Sequence, residues 1–387
     1  MALKLPPEVL HRIAEYAQLD PDNVSLSALA LVSRAFGSAV RSYRSTHLVV
    51  RSTTAVRRIQ HRRAKNTGAV RSITIERGTR TRREPAKVGR RKHNSDDDAA
   101  VTADDLVKLC SLDSGIVELH LREVAFSTLR RRQVGFASSL GNLRSLSISG
   151  RVDGDEGGFH LHTVGQIVGA IPTLRHLALR HVRVAPSSLA GLAPPLLLRL
   201  TSFALHSTPV PSPAQLSWLL DASTRAESLR SLAFDLRDGT RPSQLYPVFW
   251  STLTVRTLSL TSDLEGSIES MPSHFPSLER YEFRSNRRID PHLLVKNARR
   301  FRRLRHLSDR SIAPGSGLDL WQLAEALLLH RRRVRIQVVA IERTRSGEPG
   351  FGALDEVCRF LRIDLRLVDL SSSELARGEP WISDESV

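Results

Sequence analysis

The chain has 387 residues, a formal net charge of +17 from 57 Lys and Arg against 40 Asp and Glu, and only two cysteines. Two cysteines are too few for a disulfide-rich secreted scaffold. No apolar run reaches the roughly 18 residues that a membrane span needs. Prolines near the start of the chain argue against a signal peptide. We therefore expect the protein to work in the cytoplasm, the nucleus or both. Only six of the cationic residues are lysine, and codon bias in a GC-rich genome explains this arginine excess more simply than nucleic-acid binding does.

The N-terminal residues predict three short helices. The first begins at Leu5-Pro6-Pro7-Glu8, where proline suits the first turn and the acid lies near the positive helix end. Asp20-Pro21-Asp22-Asn23 breaks this helix, and two more follow it. A unit of about 45 residues without a disulfide or metal rarely stabilises itself. We therefore expect another protein to cover part of its apolar surface.

This helical unit resembles the F-box. The resemblance rests on Leu5-Pro6-Pro7-Glu8-Val9-Leu10 with Ile13, and on Leu29-Ala30-Leu31-Val32-Ser33-Arg34-Ala35-Phe36. It implies that the helices bind a Skp adaptor; the alternative is an ordinary helical cap on a repeat array. The residues implied in Skp binding are Leu5, Pro6, Val9, Leu10, Ile13, Leu29, Leu31, Val32, Ser33, Arg34 and Phe36.

A Leu-x-x-Leu-x-Leu pattern recurs after the helices. Its start-to-start spacing runs from 23 residues (Val255 to Leu278) to 31 residues (Leu143 to Leu174), which brackets the leucine-rich-repeat range of about 20 to 29. The copies are Ile116/Leu119/Leu121, Leu143/Leu146/Ile148, Leu174/Leu177/Leu179, Leu200/Phe203/Leu205, Leu229/Leu232/Phe234, Val255/Leu258/Leu260 and Leu278/Tyr281/Phe283. An earlier copy is Val70/Ile73/Ile75, and a degraded later one is Leu304/Leu307, where Asp309 replaces the third apolar residue.

Each copy predicts a short strand whose second and third apolar residues point inward. Segments between strands, such as 213–226, have helical spacing, so the fold class is α/β. The chain is thus similar to fungal-type F-box proteins with irregular leucine-rich repeats: a three-helix F-box-like module followed by an irregular solenoid, or horseshoe. The asparagine typical of such repeats fits only at Asn286, which leaves the curvature of the array open.

The predicted domains follow from these patterns. They are an F-box-like module at 1–50, irregular repeats at 51–310 with a basic disordered insertion at about 77–104, closing α/β repeats at 311–370, and a disordered acidic tail at 371–387. In the closing repeats we expect helices at 321–330 and 354–361, strands at 334–341 and 365–370, and a Gly/Pro loop at 347–352.

No motif predicts catalysis. A nucleophile elbow, a phosphate loop, a dinucleotide fingerprint and a Cys-x-x-Cys pair are all missing. His160-x-His162 has no cysteine nearby, so we expect neither a metal nor a cofactor. Cys110 and Cys358 lie on apolar helical stripes and should be buried thiols.

The most basic segment runs from Arg77 to Lys92 and is followed by Asp96-Asp97-Asp98. A solvated loop is the simplest interpretation. A two-part nuclear import signal and a contact to RNA or an acidic partner are the alternatives.

The outward residues of the strands form what we term the polar strand face, the predicted inner face of the solenoid. Four cations (Arg122, Arg180, Arg280, Arg284) meet four anions (Glu76, Glu118, Asp235, Glu282), so this face is predicted to be neutral, unlike a groove that tracks phosphates. The candidate substrate-binding residues on it are His120, Arg122, His176, Arg180, His206, Asp235, Arg280 and Arg284.

The resemblance implies a substrate-receptor subunit of a Skp–cullin–F-box E3 ubiquitin ligase rather than an enzyme. Its partners would be a Skp adaptor, through it a cullin, and an unidentified protein substrate; we expect neither nucleic acid nor a membrane as partner. The alternative is a basic repeat scaffold that binds RNA or an acidic protein through 77–92 and the arginine clusters at 130–132, 299–303 and 331–333.

Overall fold

The chain forms two compact units, Met1–Phe159 and His160–Val387. The computed structural model describes residues 47–63, 70–76, 101, 103–111, 115–122, 137, 140–150, 161–182, 194–195, 198–206, 212–235, 254–261, 275–285, 288–298, 300–312, 316–332 and 335–368, together with the helical residues Val9, Ile13 and Phe36. The predicted basic insertion before residue 101 and the tail beyond 368 lie outside these residues.

The first unit contains a parallel sheet. Its elements are β1 (His47–Val50), α1 (Thr53–Arg63), β2 (Ser72–Glu76), α2 (Ala103–Ser111), β3 (Glu118–Arg122) and β4 (Ser145–Ser149). The strands pair in chain order, each parallel to the next. Strand β1 was not predicted and lies at the end of the range 1–50 assigned to the helical module. In α2, Asp104 and Asp105 occupy the positive first turn while Leu106 and Leu109 are buried.

The second unit repeats the same strand-and-helix arrangement. Its elements are α3 (Leu161–Gly169), β5 (His176–Arg180), β6 (Ser202–His206), α4 (Pro213–Arg225), β7 (Ser231–Asp235), β8 (Thr257–Thr261), β9 (Arg280–Arg284), β10 (Arg288–Ile289), α5 (Pro291–Ala298), β11 (His306–Asp309), β12 (Gly317–Leu318), α6 (Leu320–Leu329), β13 (Val338–Glu342), a 3₁₀ helix (Arg343–Gly347), α7 (Phe351–Leu361) and β14 (Asp364–Val368). The main sheet has the order β5-β6-β7-β8-β9-β11-β13-β14, with parallel pairs at each step, and β10 pairs with β12 beside it. This is the strand-plus-helix architecture of an α/β leucine-rich-repeat solenoid.

The strands bury alternate side chains, as the repeat pattern predicts. Strands β3, β4, β5 and β8 each bury their second and fourth residues and leave the others half-buried. The leading apolar residue of each copy, such as Leu174 or Leu229, is also buried. The predicted strand register is therefore confirmed, and these residues form the core with the buried sides of the helices.

Hydroxyl groups connect adjacent repeats where the asparagine pattern is missing. Ser223 Oγ accepts a hydrogen bond from the N–H of Leu200 at 2.9 Å and donates one to the carbonyl of Leu198 at 3.0 Å. Thr254 Oγ1 donates to the carbonyl of Leu229 at 2.8 Å. These side chains satisfy backbone groups at the start of their repeats. Asn286, the one residue that fits the usual pattern, lies outside the described residues.

Local sequence explains how the helices begin. Ser212 and Gln215 form a capping box at α4, with Gln215 N–H donating to Ser212 Oγ at 3.3 Å and Ser212 N–H donating to Gln215 Oε1 at 2.8 Å. Asp319 caps α6 by accepting from the N–H of Gln322 at 2.9 Å. The predicted helix 354–361 begins earlier, at Phe351, after Gly350 adopts a left-handed conformation with φ of 93°. A side chain at Gly350 would approach the backbone N of Trp321 to 2.6 Å, so this close contact requires glycine.

Within the described residues, none of the helices combines the length and the apolar character that crossing a bilayer requires.

The alternation predicts unequal costs for neighbouring substitutions in β8. Leu258→Ala should reduce the free energy of unfolding by about 2 to 5 kcal/mol, because Leu258 is fully buried and its loss leaves a cavity. Thr257→Ala, on the half-buried side of the same strand, should cost less than about 1 kcal/mol. Urea unfolding of both variants measures the difference. Equal costs would mean that this strand does not divide core from surface.

Candidate functional site

The polar strand face of the second unit is organised by the register of its strands. In-register residues of neighbouring strands lie about 4.8 Å apart, so equivalent positions form continuous rows. One row contains His176, Ser202, Ser231, Thr257, Arg280 and His306. The next contains Ala178, Ala204, Ala233, Ser259, Glu282 and Ser308. Small and hydroxyl-bearing side chains therefore fill the middle of this face, and charged ones cluster toward β9 and β11.

The predicted candidates of the first unit lie on β3 and face carboxylates. Arg122 NH1 lies 3.3 Å from Glu76 Oε1, and Arg51 Nε lies 3.1 Å from Glu76 Oε2. His120 Nε2 lies 4.0 Å from Glu118 Oε2. The neighbouring His120 is the main cause that lowers the pKa of the Glu118 carboxyl, against the opposing effect of burial. Both basic side chains of β3 thus lie near acids on the same sheet.

The predicted candidates of the second unit lie on strands β5, β6, β7 and β9. They are His176, Arg180, His206, Asp235, Arg280 and Arg284. Register brings Arg180, His206 and Asp235 into one row, although the side chain of Asp235 is outside the described part of the chain. His176, Arg180 and His206 are half-buried, as are Arg280 and Arg284.

Glu282, which was predicted to be an outward anion of the face, is buried. Only 2% of this residue is exposed. Its Oε1 atom lies 2.5 Å from Arg280 Nε and 3.6 Å from Arg310 NH2. The prediction that Glu282 points outward is therefore wrong, and Glu282 contributes its negative charge as a buried partner of Arg280. Ser202, Ala204 and Ala233, also predicted to face outward, are buried as well.

The last repeats add charged residues that the sequence analysis did not assign to the face. His306 continues the row of Arg280, and Arg366 on β14 continues the row of Glu282 through Ser308 and Ala340. Arg366 Nε lies 2.6 Å from Asp364 Oδ2. The sequence signal that could have identified them is the alternation of inward and outward residues, extended from the earlier repeats to the strands that begin at 306 and 364.

His306 lies in a strongly cationic environment. Burial is the main cause that holds the pKa of His306 down to about 4, and the charges of Arg280, Arg366 and Arg310 add to it. Asp364 opposes them. His306 is therefore neutral at physiological pH and faces three guanidinium groups.

Asp309, which was predicted to degrade its repeat, instead accepts hydrogen bonds in the core that connect the last repeats. Its side chain is fully buried, at 0% exposure. Oδ1 accepts from the N–H of Ser311 at 3.0 Å, and Oδ2 accepts from the N–H of Leu318 at 2.7 Å and from Arg345 NH1 at 2.5 Å. Burial raises the pKa of this carboxyl, while the charge of Arg345 and the backbone donors oppose the rise.

Arg345 completes this buried network from the 3₁₀ helix. Its NH2 group donates to the carbonyl of Leu318 at 2.6 Å, and its Nε and NH2 donate to the two carboxylate oxygens of Glu348 at 2.9 and 2.8 Å. Gly317 covers the carboxylate of Asp309 with φ of 71°, and a side chain there would approach Asp309 Oδ2 to 2.5 Å. The network joins β11, β12 and the 3₁₀ helix in one charge-assisted cluster.

Most of the predicted Skp-binding residues lie outside the described residues. Val9, Ile13 and Phe36 are described and are helical; Val9 is 40% exposed, and the other two are half-buried. The remaining eight, which are Leu5, Pro6, Leu10, Leu29, Leu31, Val32, Ser33 and Arg34, are outside, as is the basic segment at 77–92.

The described residues offer little for catalytic chemistry. Cys358 is buried, as predicted, and burial raises the pKa of its thiol to about 12, so it is a poor nucleophile. The side chains of Cys110, His160 and His162 are not described. In the described ranges, no group of three His, Cys, Asp or Glu side chains could hold a metal ion.

A shallow groove of about 420 Å³ lies beside the edge strand β1 in the first unit. Its lining combines β1 with α1 and consists of Leu48, Val49, Ser52, Thr54, Ala55, Arg58 and Ile59. It contains one charged residue and no acid–base pair, so it resembles a packing surface more than a catalytic pocket.

Comparison with known proteins finds similarity in structure only. No protein-family model matches the chain, and no curated protein matches its sequence at a significant level. The yeast Rad7–Elc1 complex matches with a TM-score of 0.40 and 14% identity over 100% of this chain and 99% of that one. A Bacteroides fragilis protein matches with a TM-score of 0.36 and 11% identity over 83% of this chain and 74% of that one.

A third match is TLR13 in its complex with the single-stranded RNA ssRNA13. Its TM-score is 0.37 and its identity 12%, over 77% of this chain but only 43% of the receptor chain. At identities this low, these similarities assign neither a family nor a function to the chain.

The buried pair predicts a large penalty for losing one partner. Arg345→Met should reduce the free energy of unfolding by about 3 to 5 kcal/mol, because it leaves the Asp309 carboxyl buried without a guanidinium. Urea unfolding followed by tryptophan fluorescence, with Trp321 in α6 as a nearby reporter, measures this cost.

The matched control is Arg359→Met, which removes an exposed arginine that pairs with Asp355 on α7. It should cost less than about 1 kcal/mol. The double variant Asp309→Leu/Arg345→Met should cost clearly less than the two single changes added together. Additive costs, or equal costs for Arg345→Met and Arg359→Met, would contradict the proposed network.

Proposed function

We propose that this chain is the substrate-receptor subunit of a Skp–cullin–F-box ubiquitin ligase, in which the N-terminal helices bind a Skp adaptor and the repeats bind a protein substrate. The observation that carries the proposal is the polar strand face, a preformed row of polar side chains on stacked strands. Stacked repeats present extended faces suited to protein partners. The residues at the N-terminus that resemble the F-box supply the link to Skp.

The charge pattern of the face favours a protein partner over RNA. Arg122 lies against Glu76, and Arg280 against Glu282, so the strands carry paired charges of both signs. A groove that follows a phosphate backbone needs a strong excess of positive charge along its length. Hydroxyl-bearing and small residues such as Thr257 and Ser259 between the charged ends suit the mixed surface of a folded or extended polypeptide.

An exposed apolar residue supports the role proposed for the N-terminal helices. Val9 belongs to the stripe that would contact Skp, and it is 40% exposed in the isolated chain. A small helical unit gains stability when a partner buries such residues. The Skp adaptor, and through it a cullin, are the partners that fit this proposal.

The proposed mechanism is proximity without bond chemistry by this chain. A receptor that holds a substrate beside a conjugating enzyme raises the effective concentration of the substrate lysines. No catalytic residue is required of the receptor. Such a receptor would act in the cytoplasm, the nucleus or both.

Replacing Leu5 and Pro6 together by alanine tests the proposal. Interface anchors commonly contribute about 2 kcal/mol or more each, and each 1.4 kcal/mol is a factor of ten, so the variant should bind Skp more than about tenfold more weakly. Calorimetric titration of the purified full chain with the Skp adaptor of its own organism measures the affinity. The melting transition of the repeats should stay unchanged.

The matched control is Leu328→Ala/Leu329→Ala, which truncates two exposed leucines of α6. It should bind Skp as the wild type does. Absence of binding by the wild type at micromolar concentration would defeat the ligase proposal. Salt-dependent RNA binding through 77–92 would then support the basic scaffold instead.

A further inference from the structure

Strands β9, β11, β13 and β14 place charged side chains around a small uncharged floor. Register aligns Arg280, His306, Val338 and Asp364 in one row, and Glu282, Ser308, Ala340 and Arg366 in the next. The two residues from β13, Val338 and Ala340, are short and uncharged. Strands two steps apart are separated by about 10 Å, so the long side chains of β11 and β14 flank this floor.

The charges around the floor are held in place by carboxylates. Glu282 binds Arg280 at 2.5 Å and lies 3.6 Å from Arg310 NH2, while Asp364 binds Arg366 at 2.6 Å. Arg310 Nε also donates to Ser308 Oγ at 3.4 Å. Three guanidinium groups thus lie around the floor, together with the carboxylates of Glu282 and Asp364. Each guanidinium has five N–H donors, more than one carboxylate oxygen can occupy.

His306 contributes a buried polar atom at the centre of this group. Its Nε2 atom is buried and makes no hydrogen bond within the described part of the chain. A buried polar atom without a partner is costly, and such atoms in native proteins commonly mark a binding site or an ordered water. The side chain of Arg366 is 57% exposed, so a ligand can reach the group from that side.

We propose that Arg280, His306 and Arg366 form a binding site for one anionic group of a bound polypeptide, a carboxylate or a phosphoryl group, with Arg310 providing positive charge behind it. Carboxylate and phosphoryl groups share the acceptor geometry that guanidinium donors match. The inference rests on the proposed function in one respect, which is that the anionic group belongs to a protein substrate.

Anion binding at this site is coupled to protonation of His306. The groups that face His306 are Arg280, Arg310, Arg366 and Asp364, and its aligned neighbour on β13, Val338, is uncharged. Two further acids lie on the same side of the sheet: Glu282, which contacts Arg280 and Arg310, and the buried Glu342 at the end of β13. The nearby cations disfavour the imidazolium, and a bound anion offsets their effect. By linkage, an anion that raises the pKa of His306 binds more tightly as the pH falls toward that pKa.

The experiment measures the pKa of His306 in the full chain by NMR of ¹³C-labelled histidine. Titrations run in chloride, in inorganic phosphate and in dichloroacetate, a carboxylate that stays ionised at low pH, at one ionic strength, and His306→Gln assigns the signal. In phosphate the pKa should rise from its value in chloride by about one unit if the anion binds the protonated site tenfold more tightly. A rise in dichloroacetate as well indicates a general carboxylate and phosphoryl site, and a rise in phosphate alone indicates a phosphoryl site.

Arg366→Gln should abolish the anion-dependent rise, since it removes the exposed donor. Arg359→Gln, which removes an exposed arginine paired with an aspartate on α7, should leave the rise intact. No rise in either anion, or a full rise in Arg366→Gln, would overturn the site. Because this test uses small anions and no Skp, a chain that fails to bind Skp can still show the site, and the two proposals fail separately.

Discussion

The polar strand face of the second unit depends on one packing constraint, which is that strands such as β5 and β8 divide their side chains between the core and a half-buried side. In β8, Leu258 and Leu260 are fully buried, while Thr257, Ser259 and Thr261 are half-buried on the other side. Parallel pairing in register keeps the second and fourth residues of β5 to β9 in the core, so the place of a residue in its repeat decides which side of the sheet it occupies. The core packing thus fixes which side chains the face presents, and a preformed face loses less entropy when a partner binds.

Two buried acids modify this pattern at neighbouring strands. Asp309 of β11 occupies a core position and is held by Arg345, whereas Glu282 of β9 lies on the face and is held by Arg280 and Arg310. A buried charge that needs a specific partner fixes the relative position of two repeats more strictly than two leucines do. The same end of the unit thus carries both a buried ion pair in its core and the arginines that surround His306 on its face, and the buried pair connects β11, which bears His306, to β12 and the 3₁₀ helix.

The sequence predicted the features that repeat and missed those that depend on single contacts. Leu177 and Leu258 were assigned to the core because an apolar pattern of period two needs no knowledge of neighbouring chains. Strand β1 was missed because His47–Val50 lacks the leading leucine of the repeat. Asp309 was interpreted as damage to a repeat, since its partner Arg345 is 36 residues away and no local pattern links them. His306 and Arg366 were missed for a related reason: His306 belongs to the copy that was interpreted as degraded, and Arg366 belongs to the closing repeats, which were treated as a cap and not as a continuation of the face.

The central claim is that a protein partner binds the polar strand face, and site-specific photo-cross-linking in cells tests it most directly. A benzoylphenylalanine replaces Thr257 or Thr261 on the face in separate variants, and Glu325, an exposed residue of α6 on the helix side, in the control. The account predicts that both face positions form covalent adducts with the same protein and that position 325 does not. Adducts of that protein from position 325 alone, or adducts with RNA from the face positions, would contradict it.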